Sequence, residues 1–447
     1  MASMVSRLAT FLTILLALLA RPSSAQDVLT IDQAVSAALA KNAGLKAAAA
    51  GVRESAARKD EARAAYLPRL DYVEDWQQGN NPVYVFGSLL SQRRFTAANF
   101  DVAALNHPDA LTNYHGAFAL QQPVYDSQRL AGIKSAGLGN QVAEQMSAEA
   151  RADVTLGVTK VYGGVLQAIA ARKAADAAVE SAKDDLSRTE QRRDAGMATE
   201  ADVLSLRVFL AQMQERQIRA ASGEAIARAQ LNQMMAAPLD QAYALAEPPP
   251  PPAGAPAATP PVADDEASAV KNRPAIKRAD AQLALADVGR SAAKHAFFPQ
   301  AYFQAMYDMN GNAFTDRASS WLVAGQIRIN LFAGLGDSAR LKAATEAHLR
   351  ASAERENLLT SVRLEVRTAR AEFDAALARE AVGRAVVLQA RESQRIIRDR
   401  YDSGLAGVSD VLRAANALLD AETLRISSVV DVMVGQAALD RAVGRAR

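Results

Sequence analysis

Arg192-Arg193-Asp194-Ala195-Gly196-Met197-Ala198 runs on to Asp202-Val203-Leu204. Arg400-Tyr401-Asp402-Ser403-Gly404-Leu405-Ala406 runs on to Asp410-Val411-Leu412 with the same spacing. From Gly196 to Gly404 the offset is 208 residues, and it still holds where Leu231-Asn232 matches Leu439-Asp440. A chain that repeats itself at a fixed distance is built from copies of one structural unit.

Working upstream, Ala65-Tyr66-Leu67-Pro68 matches Ala296-Phe297-Phe298-Pro299, and Pro123-Val124-Tyr125-Asp126-Ser127 matches Leu331-Phe332-Ala333-Gly334. The prolines are 231 residues apart, so the first half carries some 23 residues more between Pro68 and its long helix. Each half reads helix, proline, extended stretch, very long helix, glycine turn, shorter helix. The halves cover 26–237 and 263–447. Between them, 238–262 holds Pro248–Pro252 and a Pro/Ala-rich run without hydrophobic period, which reads as an extended linker.

Arg129 to Ala195 and Asp337 to Asp402 contain no proline. Each predicts a helix of about 100 Å at 1.5 Å per residue. Val154, Val158, Val161 and Val165 step by 4, 3 and 4, and Leu359, Val362, Val366, Ala369, Phe373 and Ala376 alternate 3 and 4. That is a coiled-coil seam. Gly196 and Gly404 end the long helices as left-handed caps, and the chain turns back. Two further helices are expected at Ile31–Ala65 and Asp264–Ala296, with Asp32 and Asp264 to Glu266 at their N-termini.

Four segments have period two: around Leu70 to Trp76, Tyr114 to Leu120, Ala301 to Met309, and Trp321 to Leu331. Each is about 10 residues long, and aromatics lie near several of the ends, as in strands that cross a bilayer. Four strands cannot close a barrel, and lipid does not tolerate open sheet edges. Several chains must therefore share one barrel. The alternative is a pair of hairpins lying on a soluble domain. The segment 80–113, between the first two strands, is expected to be a long outer loop with some fixed structure.

Residues 1–25 read as an export signal: Arg7, an apolar run from Phe11 to Ala20, then Ser23-Ser24-Ala25. No other stretch is expected to be apolar enough to cross a membrane as a helix. The whole chain has 51 basic and 49 acidic residues. Removing 1–25 takes Arg7 and Arg21 and no acid, leaving 49 of each. A neutral chain gives no reason to expect a nucleic-acid partner. There is no Cys, which excludes disulfides, thiolate metal sites and an N-terminal lipoprotein anchor. His107, His115, His295 and His348 have no metal-ligand spacing, and no nucleophile, base and oxyanion set can be assembled. No enzyme, cofactor or metal is expected.

Layout and tip motifs together resemble the TolC outer-membrane factor family over nearly the whole mature chain. Its hairpins turn in a Gly-x(5)-Asp-Val pattern, as at Gly196/Asp202-Val203 and Gly404/Asp410-Val411. The resemblance implies a mostly helical protomer giving four strands to a twelve-stranded trimeric barrel, continued by a coiled-coil helical barrel. It implies a Gram-negative outer-membrane location reaching into the periplasm, and a passive exit duct for an efflux pump or type I secretion system. It implies a periplasmic adaptor and an inner-membrane transporter as partners, with docking at the tips: Gly196, Met197, Val203, Leu204, Gly404, Leu405, Val411 and Leu412. It implies a gate with a latch between Tyr401 and Asp202. A second family latch uses an Arg where this chain has Ala406. Of the family's two Asp rings in the tip, Asp410 matches the first, while Arg413 occupies the second. On the residues alone, Asp202 and Asp410 are also helix caps. The alternative of another class is an exported coiled-coil scaffold or adhesin without a pore.

Overall fold

The computed structural model describes residues 28–246 and 261–445. The expected export signal at 1–25 lies outside them, as do linker residues 247–260. In chain order the elements are β1 (Val28–Leu29), α1 (Ile31–Lys41), α2 (Ala43–Ala64), β2 (Arg69–Gly79), α3 (Pro82–Ser91), α4 (Val102–Asn106), β3 (Leu111–Tyr125), α5 (Ser127–Asp194) and α6 (Glu200–Met234). The second half adds β4 (Ala244–Leu245), α7 (Val262–Asn272), α8 (Pro274–His295), β5 (Gln300–Ala313), β6 (Asp316–Arg328), α9 (Gly336–Asp402) and α10 (Val408–Val443). Packing divides the chain into two units. One holds residues up to 49, 147–274 and 359 onward; the other holds 50–146 and 275–358.

The two long helices take the expected form. Three expectations are corrected. The single helix Asp264–Ala296 is two, because Pro274 has no N–H to donate and holds Arg273 extended at ψ 125°. The single helix Ile31–Ala65 is also two: Asn42 leaves the helix at ψ 126° and its side chain accepts from the Leu45 N–H at 3.2 Å, starting a new helix. The last strand stops at Arg328 rather than Leu331. In addition, the two-residue parallel pair β1 and β4 has no period that could announce it.

The strand unit is a four-stranded antiparallel sheet in the order β2-β3-β5-β6. β2 and β6 each pair on one side only. Register brings Tyr72, Phe118, Tyr307 and Trp321 into one row across all four strands. The Tyr72 and Phe118 rings lie 4.7 Å apart. Leu70, Val323 and Ile327 share this exposed apolar face. It carries one ion pair: the Arg317 guanidinium donates to Glu74 at 2.7 and 3.0 Å, above Gly116. A Cβ at Gly116 would sit 2.7 Å from Arg317 Nη1, so a larger residue would have to push the guanidinium aside. The other face is polar, with Asp75, His115, Gln304, Asp308 and Gln326. His115 lies between Asp308, at 2.9 Å, and Asp75, at 3.6 Å.

The helical unit is held by Val158, Tyr162, Val165 and Leu166 of α5, Ala34 and Ala38 of α1, Leu231 of α6 and Val430 of α10. Burying each large apolar side chain contributes roughly 1.5–3 kcal/mol. The Tyr162 hydroxyl lies 2.9 Å from the Leu29 carbonyl and 2.8 Å from that of Ala246, and seats the small β1–β4 pair. Val362, Val366, Ala369 and Ala376 of the expected seam are buried. By length and composition α5 is apolar enough to cross a membrane, against expectation. Its Val158, Tyr162, Val165 and Leu166 face protein core instead.

Candidate functional site

The hairpin tips are built by one device used twice. At the end of α5, Gly196 takes φ +76°, its N–H donates to the Arg193 carbonyl at 2.8 Å, and the Met197 N–H donates to that of Arg192 at 2.7 Å. At the end of α9, Gly404 takes φ +73°, with Gly404 N–H on the Tyr401 carbonyl at 2.9 Å and Leu405 N–H on that of Arg400 at 2.8 Å. This is a Schellman cap, in which a left-handed residue lets its own N–H and that of the next residue close the helix end. A Cβ makes that conformation cost about 1 kcal/mol or more, which is why glycine recurs.

The following aspartates start the returning helices. Asp202 Oδ2 accepts from the Thr199 N–H at 3.0 Å, and Thr199 Oγ1 accepts from the Asp202 N–H at 3.2 Å. That is a reciprocal capping box. At the second tip Gly407 has no side chain, so only the return bond remains, from Gly407 N–H to Asp410 Oδ2 at 3.1 Å. Asp410 Oδ1 also takes the guanidinium of Arg413 one turn on. The opposite charges expected at these positions are thus paired within one chain.

Tyr401 is held from the first half of the chain. Its hydroxyl lies 2.8 Å from Thr189 Oγ1, and Thr189 is fully buried. The Arg192 guanidinium stands 4.8 Å from the Tyr401 ring centroid and donates to the carbonyls of Tyr401 at 2.7 Å and Asp402 at 3.0 Å. Those carbonyls belong to the last turn of α9, where the dipole is negative, and that of Tyr401 takes Arg192 in addition to the Gly404 N–H of the cap. Arg398 donates to Asp185 at 3.0 Å, and Arg188 lies 3.7 Å from Asp402. Burial pushes the Asp185 carboxyl above its usual range, with Arg398 pulling it back less. The ends of α5 and α9 are therefore stitched side by side over several rungs. Within one chain, Tyr401 and Asp202 make these contacts and not one with each other.

The expected docking residues separate by burial. Met197, Leu204 and Leu405 are exposed at 65%, 52% and 79%. Val203 and Val411, expected on the docking surface, are corrected: at 0% and 3% exposure they are hairpin core. The reason is helical period, since Val203, Leu206, Phe209 and Met213 form one inward stripe of α6. Leu412 packs against the same cluster of Val179, Ala182, Phe209 and Met213. Arg192 and Thr189 were not legible as site residues: Thr189 lies ahead of the repeated tip segment, and Arg192, though it opens that segment, has no partner there that sequence could name. Their signal was only position, on the last two turns of a helix whose end needed partners.

Among the described residues, no group of three or more His, Cys, Asp or Glu is placed to hold a metal ion.

A sheet with one apolar face and two open edges, joined to coiled-coil hairpins, defines a protomer of a membrane channel whose barrel is shared between chains. The model of the outer membrane efflux protein family matches residues 34–237 and 267–445, and the chain belongs to that family. Protein CyaE of Bordetella pertussis is 26% identical over 436 residues, covering 95% of this chain and 85% of that one. The outer-membrane channel OprN superposes with a TM-score of 0.78 at 19% identity, over 93% of this chain and 90% of that one. CusC gives 0.77 at 15% identity, over 93% and 92%. The open-state channel MtrE of Neisseria gonorrhoeae gives 0.75 at 17% identity, over 93% and 88%. The protein is an outer-membrane efflux channel and not an enzyme. A poreless scaffold or adhesin does not fit that family.

Proposed function

We propose that the chain works as a homotrimer, as the exit duct of a tripartite efflux pump or a type I secretion system. An inner-membrane transporter supplies the energy and a periplasmic adaptor joins the two. The sheet carries this reading. Its edges β2 and β6 lack partners within the chain, and lipid leaves them no solvent to bond with. Three chains of four strands make twelve, enough to enclose a pore. Met197, Leu204 and Leu405 offer the adaptor an exposed apolar tip, with Met supplying adaptable contact. The rungs from Asp185–Arg398 to Arg192–Tyr401 are the gate: opening separates the ends of α5 and α9 and breaks them. Asp202 and Asp410 bond back to the N-caps of their helices within a chain, and across chains they remain candidates for the latch and the inner ring.

The test is membrane fractionation followed by the mass of the detergent-extracted particle. An outer-membrane particle of three chains supports the proposal. A soluble periplasmic monomer overturns it.

A further inference from the structure

The insertion that lengthens the first half is ordered, and it lies on the polar face of the sheet. We infer that α3 and its flanking turns form a collar inside the outer end of the barrel, narrowing the exit with apolar side chains.

The placement follows from three anchoring side chains, Tyr84, Gln92 and Arg93. β2 and β3 meet the insertion at Gly79 and Leu111, the end of the sheet away from the connecting helices. There the Tyr84 hydroxyl lies 3.0 Å from the Gln77 carbonyl and 3.3 Å from that of Leu111, fixing the start of α3 over the first two strands. At its end, Gln92 Nε2 donates to the Thr112 carbonyl at 3.0 Å and to Asn113 Oδ1 at 2.9 Å. Asn113 Nδ2 in turn donates to Asn310 Oδ1 at 2.9 Å. Arg93 donates to the Ser319 carbonyl of β6 at 2.8 Å. The segment thus reaches from the β2–β3 side to β6, across the whole sheet.

The side is set by alternation. Asn113 stands opposite Gln77 and two residues before His115. It shares the face of the His115–Asp308 pair, opposite the Tyr72–Phe118–Tyr307–Trp321 row. The aromatic face goes to lipid and the polar face to the lumen, so α3 is inside. Gln92, Asn113 and Asn310 are each 9% exposed or less. A buried amide chain with its bonds made is costly to break, so the collar is fixed rather than a loose lid.

The helix itself is two-sided. Val85, Ser88 and Gln92 are buried, at a spacing of three and four. Val83 and Leu90, on the other side, are 82% and 50% exposed. Phe86, Phe95 and Phe100, whose rings meet edge to face at 4.9 and 5.1 Å, tie the helix to the turn that follows it. Each chain therefore presents an apolar rim to the lumen. A ring of such rims raises the barrier to hydrated ions more than to apolar or amphiphilic solutes.

The absence of native Cys makes the test clean. The purified channel carrying Leu90→Cys in a planar bilayer should lose conductance when a membrane-impermeant cationic methanethiosulfonate is added from the outer side. Phe314→Cys, in the β5–β6 turn on the lipid side of the same rim, should react without loss. Gln92→Ala with Arg93→Ala should unhook the collar and raise conductance and the size of neutral polymer admitted, in particles that keep their detergent-extracted mass. A Leu90→Cys that fails to react, or that reacts without loss, overturns the inference, as does equal loss at Phe314→Cys. Unchanged conductance and polymer cut-off in the unhooked variant overturn the anchoring.

Discussion

Arg192 shows how one residue can serve two helices. Its backbone carbonyl accepts the Met197 N–H of its own helix cap, while its guanidinium caps the end of α9. Charge-assisted bonds of this kind contribute about 1.5–3 kcal/mol, against about 1 kcal/mol for a neutral bond such as Thr189 to Tyr401. Arg192→Ala should therefore open the tip more readily than Tyr401→Phe, which keeps the ring and the carbonyls Arg192 holds. The measurement is mean single-channel conductance in planar bilayers. Asp202→Ala should cost up to about 1 kcal/mol, since it removes the return bond of the capping box and leaves Thr199 as the N-cap. If it leaves conductance at the wild-type value alone and adds nothing to Tyr401→Phe, the Tyr401–Asp202 latch is absent; a joint rise in the double variant would establish it.

Elements approach one another here through small residues. Gly163 of α5 faces α10 so closely that a Cβ would stand 2.5 Å from Val430 Cγ1 and 3.1 Å from the Met433 methyl. In an exposed helix, Gly→Ala gains up to about 1 kcal/mol in propensity. Overpacking costs typically 1–3 kcal/mol, and a β-branched valine cannot swing away cheaply. Gly163→Ala should therefore lower the thermal midpoint of the purified channel, and Gly163→Ala with Val430→Ala should recover part of the loss. A raised midpoint in the single variant would show that the helices separate at little cost.

For the whole molecule, the unpaired edges are the decisive feature. A sheet in lipid must bond every backbone group, so β6 of one chain has to pair with β2 of the next. Single cysteines at Val73 in β2 and Leu322 in β6, joined by a short bis-maleimide in intact membranes, should give a covalent ladder that stops at three chains. Products limited to one chain would mean the edges are satisfied some other way. The pairing also explains why no chain needs a core of its own under the sheet: the apolar face is covered by lipid and the polar face by lumen water and the collar.

Sequence alone determined the two-fold repeat, the long helices, the four strands and their lipid-facing side. Those features depend on period and on residues with few backbone options, such as Gly196 and Gly404, and such signals are local. It marked Asp202 and Asp410 at the starts of the returning helices, but the N-caps are Thr199 and Gly407, and the two aspartates are the third residues that bond back to them. The breaks at Asn42 and Pro274 were within its reach, Pro274 most plainly, since proline cannot continue a helix. The tertiary structure alone decided which tip residues are core and which exposed, separating Val203 and Val411 from Met197, Leu204 and Leu405. It alone brought Thr189 and Arg192 to Tyr401, more than 200 residues away along the chain. It alone laid the 82–106 insertion against the polar face of the sheet. Those outcomes rest on contacts between segments distant in sequence, where no repeat or spacing carries the information and only packing and paired hydrogen bonds select the partner.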